Sequence, residues 1–136
     1  LINRFKSKPR SILFATDSFW EGIDIVGDAL RLVIITKLPF PVPSDPISQA
    51  RSDILAADGK SAFVEYSLPK AAVKFKQGFG RLIRSKEDRG CFICLDSRLV
   101  KKGYGKVFLK SLPECQEVFD TLSTLTEKMK AFYKNT

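Results

Sequence analysis

The chain has 136 residues, the length of one domain, and its 44% hydrophobic content is sufficient for a core. With 23 basic against 15 acidic residues its net charge is +8, which favours a polyanionic partner, although ribosomal or membrane-surface binding gives a similar balance. No apolar run reaches membrane-spanning length and the opening residues do not form a signal peptide, so no membrane partner is expected and a cytoplasmic location is.

Residues 1–10 are polar and basic and read as the tail of a helix or a loop, and the start at Leu1 reads as a fragment of a longer protein. Ser11-Ile12-Leu13-Phe14-Ala15 predicts a short buried strand, and Thr16-Asp17-Ser18 can cap a helical turn over 19–22. Gly27-Asp28 marks a turn. Leu30 to Thr36 predicts a second strand, apolar on both faces, as in parallel sheets covered by helices on both sides. Four prolines between Leu38 and Pro46 exclude helix and inner strand and predict an extended, stiff connector. Asp45 then caps a helix with Pro46 at its first position, running to about Asp58 and stopping at Gly59. Ser61 to Leu68 reads as a short helix, and Pro69 opens a longer one. Asp88-Arg89-Gly90 is a turn, Cys91 to Asp96 a third strand, and Tyr104 to Leu112 a helix stopped by Pro113. Glu114 to Tyr133 is the last helix, with Val118, Leu122, Leu125, Met129 and Phe132 at spacings of three and four. Strands alternating with helices predict an α/β layered domain.

Two stretches carry chemistry. In Lys76-Gln77-Gly78-Phe79-Gly80-Arg81-Leu82-Ile83-Arg84-Ser85, read as helix, Gln77, Arg81 and Arg84 share one stripe, opposite the apolar Ala72, Phe75, Phe79, Leu82 and Ile83. Guanidinium forks suit phosphate oxygens, though a solvated basic helix face has the same pattern. Gly78 and Gly80 each weaken a helix by about 1 kcal/mol, which suggests close backbone approach there. The second stretch is Ala15-Thr16-Asp17-Ser18-Phe19-Trp20-Glu21-Gly22-Ile23-Asp24. Ligands in open α/β sheets bind at the carboxyl ends of strands, which brings Thr16 to Asp24, Lys37 and Asp96 to Arg98 to one edge. Cys91 and Cys94 lie three apart in a strand, on opposite faces, and with no histidine or fourth cysteine they read, like Cys115, as buried reduced thiols rather than metal ligands.

Together the two stretches resemble motifs V and VI of superfamily 2 helicases, most closely the DinG/XPD family of DNA helicases and its bacterial DinG branch. The likeness runs through Ser11 to Asp28, Lys37 to Pro46, Tyr66 to Ser85 and Asp88 to Arg98. It implies a RecA-like (P-loop NTPase-like) second motor domain, a parallel sheet flanked by helices, of which residues 1–136 would be the C-terminal part. It also implies roles. Gln77, Arg81 and Arg84 match Gln-x-x-Gly-Arg-x-x-Arg, which faces nucleotide on the first motor domain. Arg81 and Arg84 would be catalytic, either one as arginine finger. Glu21, Gly22 and Asp24 match a nucleotide-side Glu-Gly-x-Asp, while Asp24 without the arginine motif would read as a helix cap or surface ion pair. Thr16 matches a threonine that contacts a strand phosphate. Trp20 and Phe19 can stack on bases or pack internally, and Asp96-Ser97-Arg98 reads as a nucleic-acid contact or as a cap with an exposed arginine.

The implied function is ATP-dependent, 5′-to-3′ DNA unwinding, with ATP and Mg2+ in the complete enzyme, no metal held by this chain, and single-stranded DNA and the first motor domain of the same chain as partners. No Walker A loop or Walker B segment is present, so the chain alone is expected to be inactive. The alternatives are a non-enzymatic basic nucleic-acid-binding module and part of an RNA helicase.

Overall fold

Two four-residue strands carry the sheet, β1 (Leu32–Ile35) and β2 (Cys91–Cys94), paired in parallel with Leu32 opposite Cys91 and Ile35 opposite Cys94. The computed structural model describes residues 2–8, 10–16, 25, 29–83 and 88–134. Around the strands lie α1 (Ile2–Ser7), α2 (Pro46–Ala57), α3 (Leu68–Leu82), α4 (Arg98–Lys101), α5 (Gly105–Ser111) and α6 (Leu122–Lys134). Parallel neighbours need a crossover, and α2 and α3 supply it.

Helix α3 follows its apolar spacing. Leu68, Ala71, Ala72, Phe75, Phe79 and Leu82 are buried while Val73, Lys76 and Gln77 face out. Phe75 stands edge-on to Phe92 of β2 (5.2 Å) and to the buried Phe108 of α5 (5.4 Å). With Ile35, Leu38 and Leu99 these residues form the core. Helix α2 is capped as its sequence predicts. The Asp45 carboxylate accepts from Ser48 N (2.9 Å) and Ser48 Oγ (2.8 Å), Pro46 stands in the first turn, and Gly59 takes the left-handed φ of 71° that ends the helix cheaply.

Four expectations are corrected. Residues 11–15 form no strand, and Ile12 and Phe14 are 81% and 91% exposed. Ser11 Oγ instead donates to Phe5 O and Lys8 O at the end of α1, and Arg10 turns the chain through a left-handed φ of 58°. An extended run needs a neighbouring strand for its backbone groups, and among the described residues β1 and β2 pair only with each other. Second, Ile34 is half-exposed, so β1 is not covered on both faces. Third, the proline-rich connector is not uniformly extended: Phe40 N donates to Leu38 O and Asp45 N to Val42 O, closing two turns around Pro39 and Pro43. Fourth, the last helix starts at Leu122, not Glu114. Thr121 N donates to Asp120 Oδ1 and Thr124 N to Thr121 Oγ1, and such local side-chain bonds set a helix start.

Helix α6 is held by its far end. The Tyr133 hydroxyl donates to Arg31 O, accepts from Cys91 N (3.1 Å), and its ring lies under the Arg31 guanidinium (4.4 Å). Partial burial and the Cys91 bond push its ionisation up to about 12.

Truncation of the central ring, Phe75→Ala, is expected to cost about 3–5 kcal/mol in denaturant unfolding. Val73→Ala, on the exposed side of the same helix, should stay within about 0.5 kcal/mol.

Candidate nucleotide and nucleic-acid sites

Helix α3 precedes β2 in the chain, and its last turn lies at the amino ends of the strands, beside Gly90. There Leu82 packs on Gly90, where an added Cβ would stand 2.5 Å from Leu82 Cδ1 and 3.0 Å from Arg31 O, so a larger residue would have to displace the Leu82 side chain. Gln77 and Arg81 sit one turn apart on this end of the helix. Gln77 is exposed, and Arg81 is half-buried with its Nε shielded from solvent. The predicted three-residue stripe is cut short. Ile83 is already extended (φ −117°, ψ 114°), so the helix stops at Leu82 before reaching Arg84. A β-branched residue three after an exposed glycine gives that last turn little helical preference. Arg84 itself lies outside the described residues. Gly78 is buried, but among the described residues a Cβ on Gly80 would meet nothing within 4 Å, so no close approach among them accounts for that glycine.

The carboxyl ends of the strands carry the second constellation. After β1 the chain passes Lys37, and Leu38 N donates to Asp96 Oδ2 (2.9 Å) beyond the end of β2. The same carboxylate takes Arg98 in a fork, Nε at 3.0 Å and Nη2 at 2.6 Å, and accepts from Arg98 N. Asp96 is 8% exposed and Arg98 42%. The guanidinium, with the Leu38 and Arg98 amides, holds the Asp96 carboxyl well below the usual carboxylate range. Both readings of Asp96-Ser97-Arg98 thus share one geometry: a capping carboxylate and a partly exposed arginine anchored to it.

The expected convergence on one edge holds for Lys37 and for Asp96 to Arg98. Thr16 is exposed in an irregular segment, since residues 11–15 do not join the sheet. Phe19, Trp20, Glu21, Gly22 and Asp24 lie outside the described residues. Among the thiols, Cys91 and Cys94 are half-buried, burial pushing Cys94 up, while Cys115 is exposed and departs from the expectation of burial. Among the described residues no group of three or more His, Cys, Asp or Glu can hold a metal ion, and no helix is long and apolar enough to cross a membrane.

Two groupings were not singled out from sequence. Ser48 Oγ lies 3.3 Å from the Tyr66 hydroxyl, which accepts from Lys70 Nζ (2.8 Å), and Lys70 followed by Ser48 draw the Tyr66 ionisation down. The i, i+4 spacing of Tyr66 and Lys70 was the available signal. Phe40, Phe63 and Tyr104 meet ring against ring beside Arg98, whose guanidinium lies over Phe40 at 5.4 Å. They come from three separate segments, and no periodicity announces their meeting.

The Asp96 contacts predict an acid limb in stability. A carboxyl whose folded ionisation lies below its unfolded one stabilises the fold above about pH 4 and loses that contribution as pH falls towards the folded value. Denaturant midpoints should therefore decline below about pH 4, and Asp96→Asn should start lower at pH 7 and decline less steeply. A steep limb unchanged by Asp96→Asn would assign it to other carboxylates.

Comparison with known proteins shows the family. Residues 1–115 match the family described as helicase C-terminal domain. The chain is 48% identical over 120 residues to the ATP-dependent DNA helicase YoaA of Haemophilus influenzae, covering 88% of this chain and 19% of that protein. It is 44% identical over 113 residues to the 3'-5' exonuclease DinG of Bacillus subtilis, covering 83% and 12%, and 44% identical over 115 residues to the ATP-dependent DNA helicase DinG of Photobacterium profundum, covering 85% and 17%. The chain thus spans less than a fifth of the length of these relatives. It belongs to the helicase C-terminal domain family, among the relatives of YoaA and DinG.

Proposed function

We propose that residues 1–136 are the C-terminal part of the second RecA-like motor domain of a DinG-like ATP-dependent DNA helicase that moves 5′ to 3′ and works in the cytoplasm. ATP with Mg2+ would sit between this domain and a first motor domain elsewhere in the complete chain, and single-stranded DNA would cross both. The observation that carries the reading is the last turn of α3, where Gln77 and Arg81 stand one turn apart on a helix fixed by its buried face.

Arg81 and Arg84 would face the γ-phosphate, stabilising charge that builds up during phosphoryl transfer. Partial burial of Arg81 suits that task, because a side chain already immobilised has little freedom left to lose when nucleotide arrives. Gln77, Glu21, Gly22 and Asp24 would line the nucleotide side, and Thr16, Trp20 and Arg98 would contact the strand. The similarity to the DNA helicases YoaA and DinG supports DNA over RNA.

In the complete protein, Arg84→Ala is expected to lower DNA-stimulated ATP turnover by about 10³- to 10⁵-fold, the usual worth of an arginine finger, while single-stranded DNA affinity changes little. A turnover assay and a binding titration on the same preparation decide it. Normal turnover with lost DNA binding would make the arginines a nucleic-acid clamp. RNA-stimulated turnover without DNA stimulation would move the chain to the RNA motors.

The chain alone, with no phosphate-cradling loop in its sequence, should show no ATP turnover. Hydrolysis that co-purifies with it through repeated columns would overturn the two-domain arrangement.

A further inference from the structure

The stretch before α3 is a π-helical turn, Phe63–Ser67, running straight into the helix. Such wide turns are uncommon and are often found at functional sites. This one displays Phe63, which is 40% exposed. Its ring is stacked on Phe40 (5.7 Å, planes at 30°) and meets Tyr104 edge-on (5.2 Å), and Phe40 and Tyr104 are themselves half-buried. Beneath them Phe108 is fully buried and touches Phe40 (5.6 Å), so the group rests on the core. An apolar surface ring with a rigid support loses little freedom when something flat lies against it.

The surroundings are cationic. Arg98 covers part of Phe40, and from Arg98 to Lys110 the sequence holds five cations and no acid. Of the nearby acids, Asp96 is already paired with Arg98, and Glu65 stands exposed in the same π-helical turn as Phe63. Exposed aromatic rings framed by cations match single-stranded nucleic acid, whose bases stack and whose phosphates need positive charge. An apolar protein partner would not need this run of cations.

Resting on the function proposed above, we infer that Phe63, backed by Phe40 and Tyr104, is a base-stacking platform at the carboxyl edge of the sheet, and that it takes one base of the single strand while Arg98 and its neighbouring lysines hold the phosphates. The platform lies beyond the carboxyl ends of the strands, whereas Arg81 lies at their amino ends. Strand contact and nucleotide contact are therefore separate.

The test uses the complete protein and two probes of equal length, a thymidine oligonucleotide and an abasic strand, titrated at several salt concentrations. The unsubstituted protein is expected to prefer the thymidine strand. Phe63→Leu keeps apolar bulk but loses the ring, and should weaken thymidine-strand binding roughly 5- to 150-fold, the worth of one stacked base. The slope of log affinity against log salt should not change, because no phosphate contact is lost. Abasic-strand binding should also stay the same. Phe63→Trp, which keeps a stacking face, should bind like the unsubstituted protein and show indole quenching by the thymidine strand beyond that of the unsubstituted protein. Unaltered thymidine binding in Phe63→Leu overturns the platform. An equal loss on both strands with a lower unfolding temperature also overturns it and makes Phe63 a packing residue against another part of the chain. If the unsubstituted protein binds neither strand, the helicase function itself falls, and the platform with it.

Discussion

The packing of Phe75 against the two strands determines where everything else stands. Helix α3 is locked by that ring between Phe92 and Phe108, and its last turn meets Gly90, just before β2. Its end is therefore tied to the amino ends of the sheet, and whatever polar groups that end carries are delivered there. Phe79 adds a second ring against Phe92 at 5.4 Å. Edge-on aromatic pairs contribute about 0.5–1.5 kcal/mol each beyond their burial, and they also fix rotation about the helix axis. That rotation decides whether Gln77 and Arg81 point outward or into the sheet.

The opposite end depends on a carboxylate. Two chain segments leave parallel strands side by side, and their next backbone groups have no ladder to join. Asp96 satisfies the Leu38 and Arg98 amides and neutralises itself with the Arg98 guanidinium. An isolated charge at 8% exposure would be costly, and the bonds from Leu38 and Arg98 offset that cost. Arg98 is thereby anchored while much of it still reaches solvent.

What could be read in the sequence divides along physical lines. Features fixed by nearest neighbours were legible: the Asp45-Pro46 start and Gly59 stop of α2, the apolar stripe of α3 through Leu82, and the Pro113 stop after α5. Features fixed by distant partners were not. Residues 11–15 look like a strand because they are apolar, but a strand needs a neighbour, and none flanks them among the described residues. Arg84 looks helical by spacing, but the helix itself ends at Leu82 with Ile83 extended, and Arg84 lies outside the described residues. The start of α6 turned on the Asp120 and Thr121 side chains, and an apolar spacing of three and four ran straight past them. Of the candidate residues that the motifs single out, Gln77 and Arg81 lie on α3 and Arg98 on α4. The meeting of Phe40, Phe63 and Tyr104 could not be found, because it needs the tertiary fold to bring three segments together.

The two ends are joined by more than a shared sheet. Phe79, Phe92, Phe75, Phe108, Phe40 and Phe63 touch in an unbroken series of ring contacts, each between 5.2 and 5.7 Å, from the last turns of α3 to the surface at the carboxyl edge. Close-packed interiors resist continuous deformation, so a rigid series of this kind moves as one piece or not at all. In the proposed motor this favours rigid-body action. The arginine end and the strand-binding end would travel together as the domain swings towards or away from its partner, and nucleotide hydrolysis would be converted to strand movement by the swing rather than by internal rearrangement of this domain.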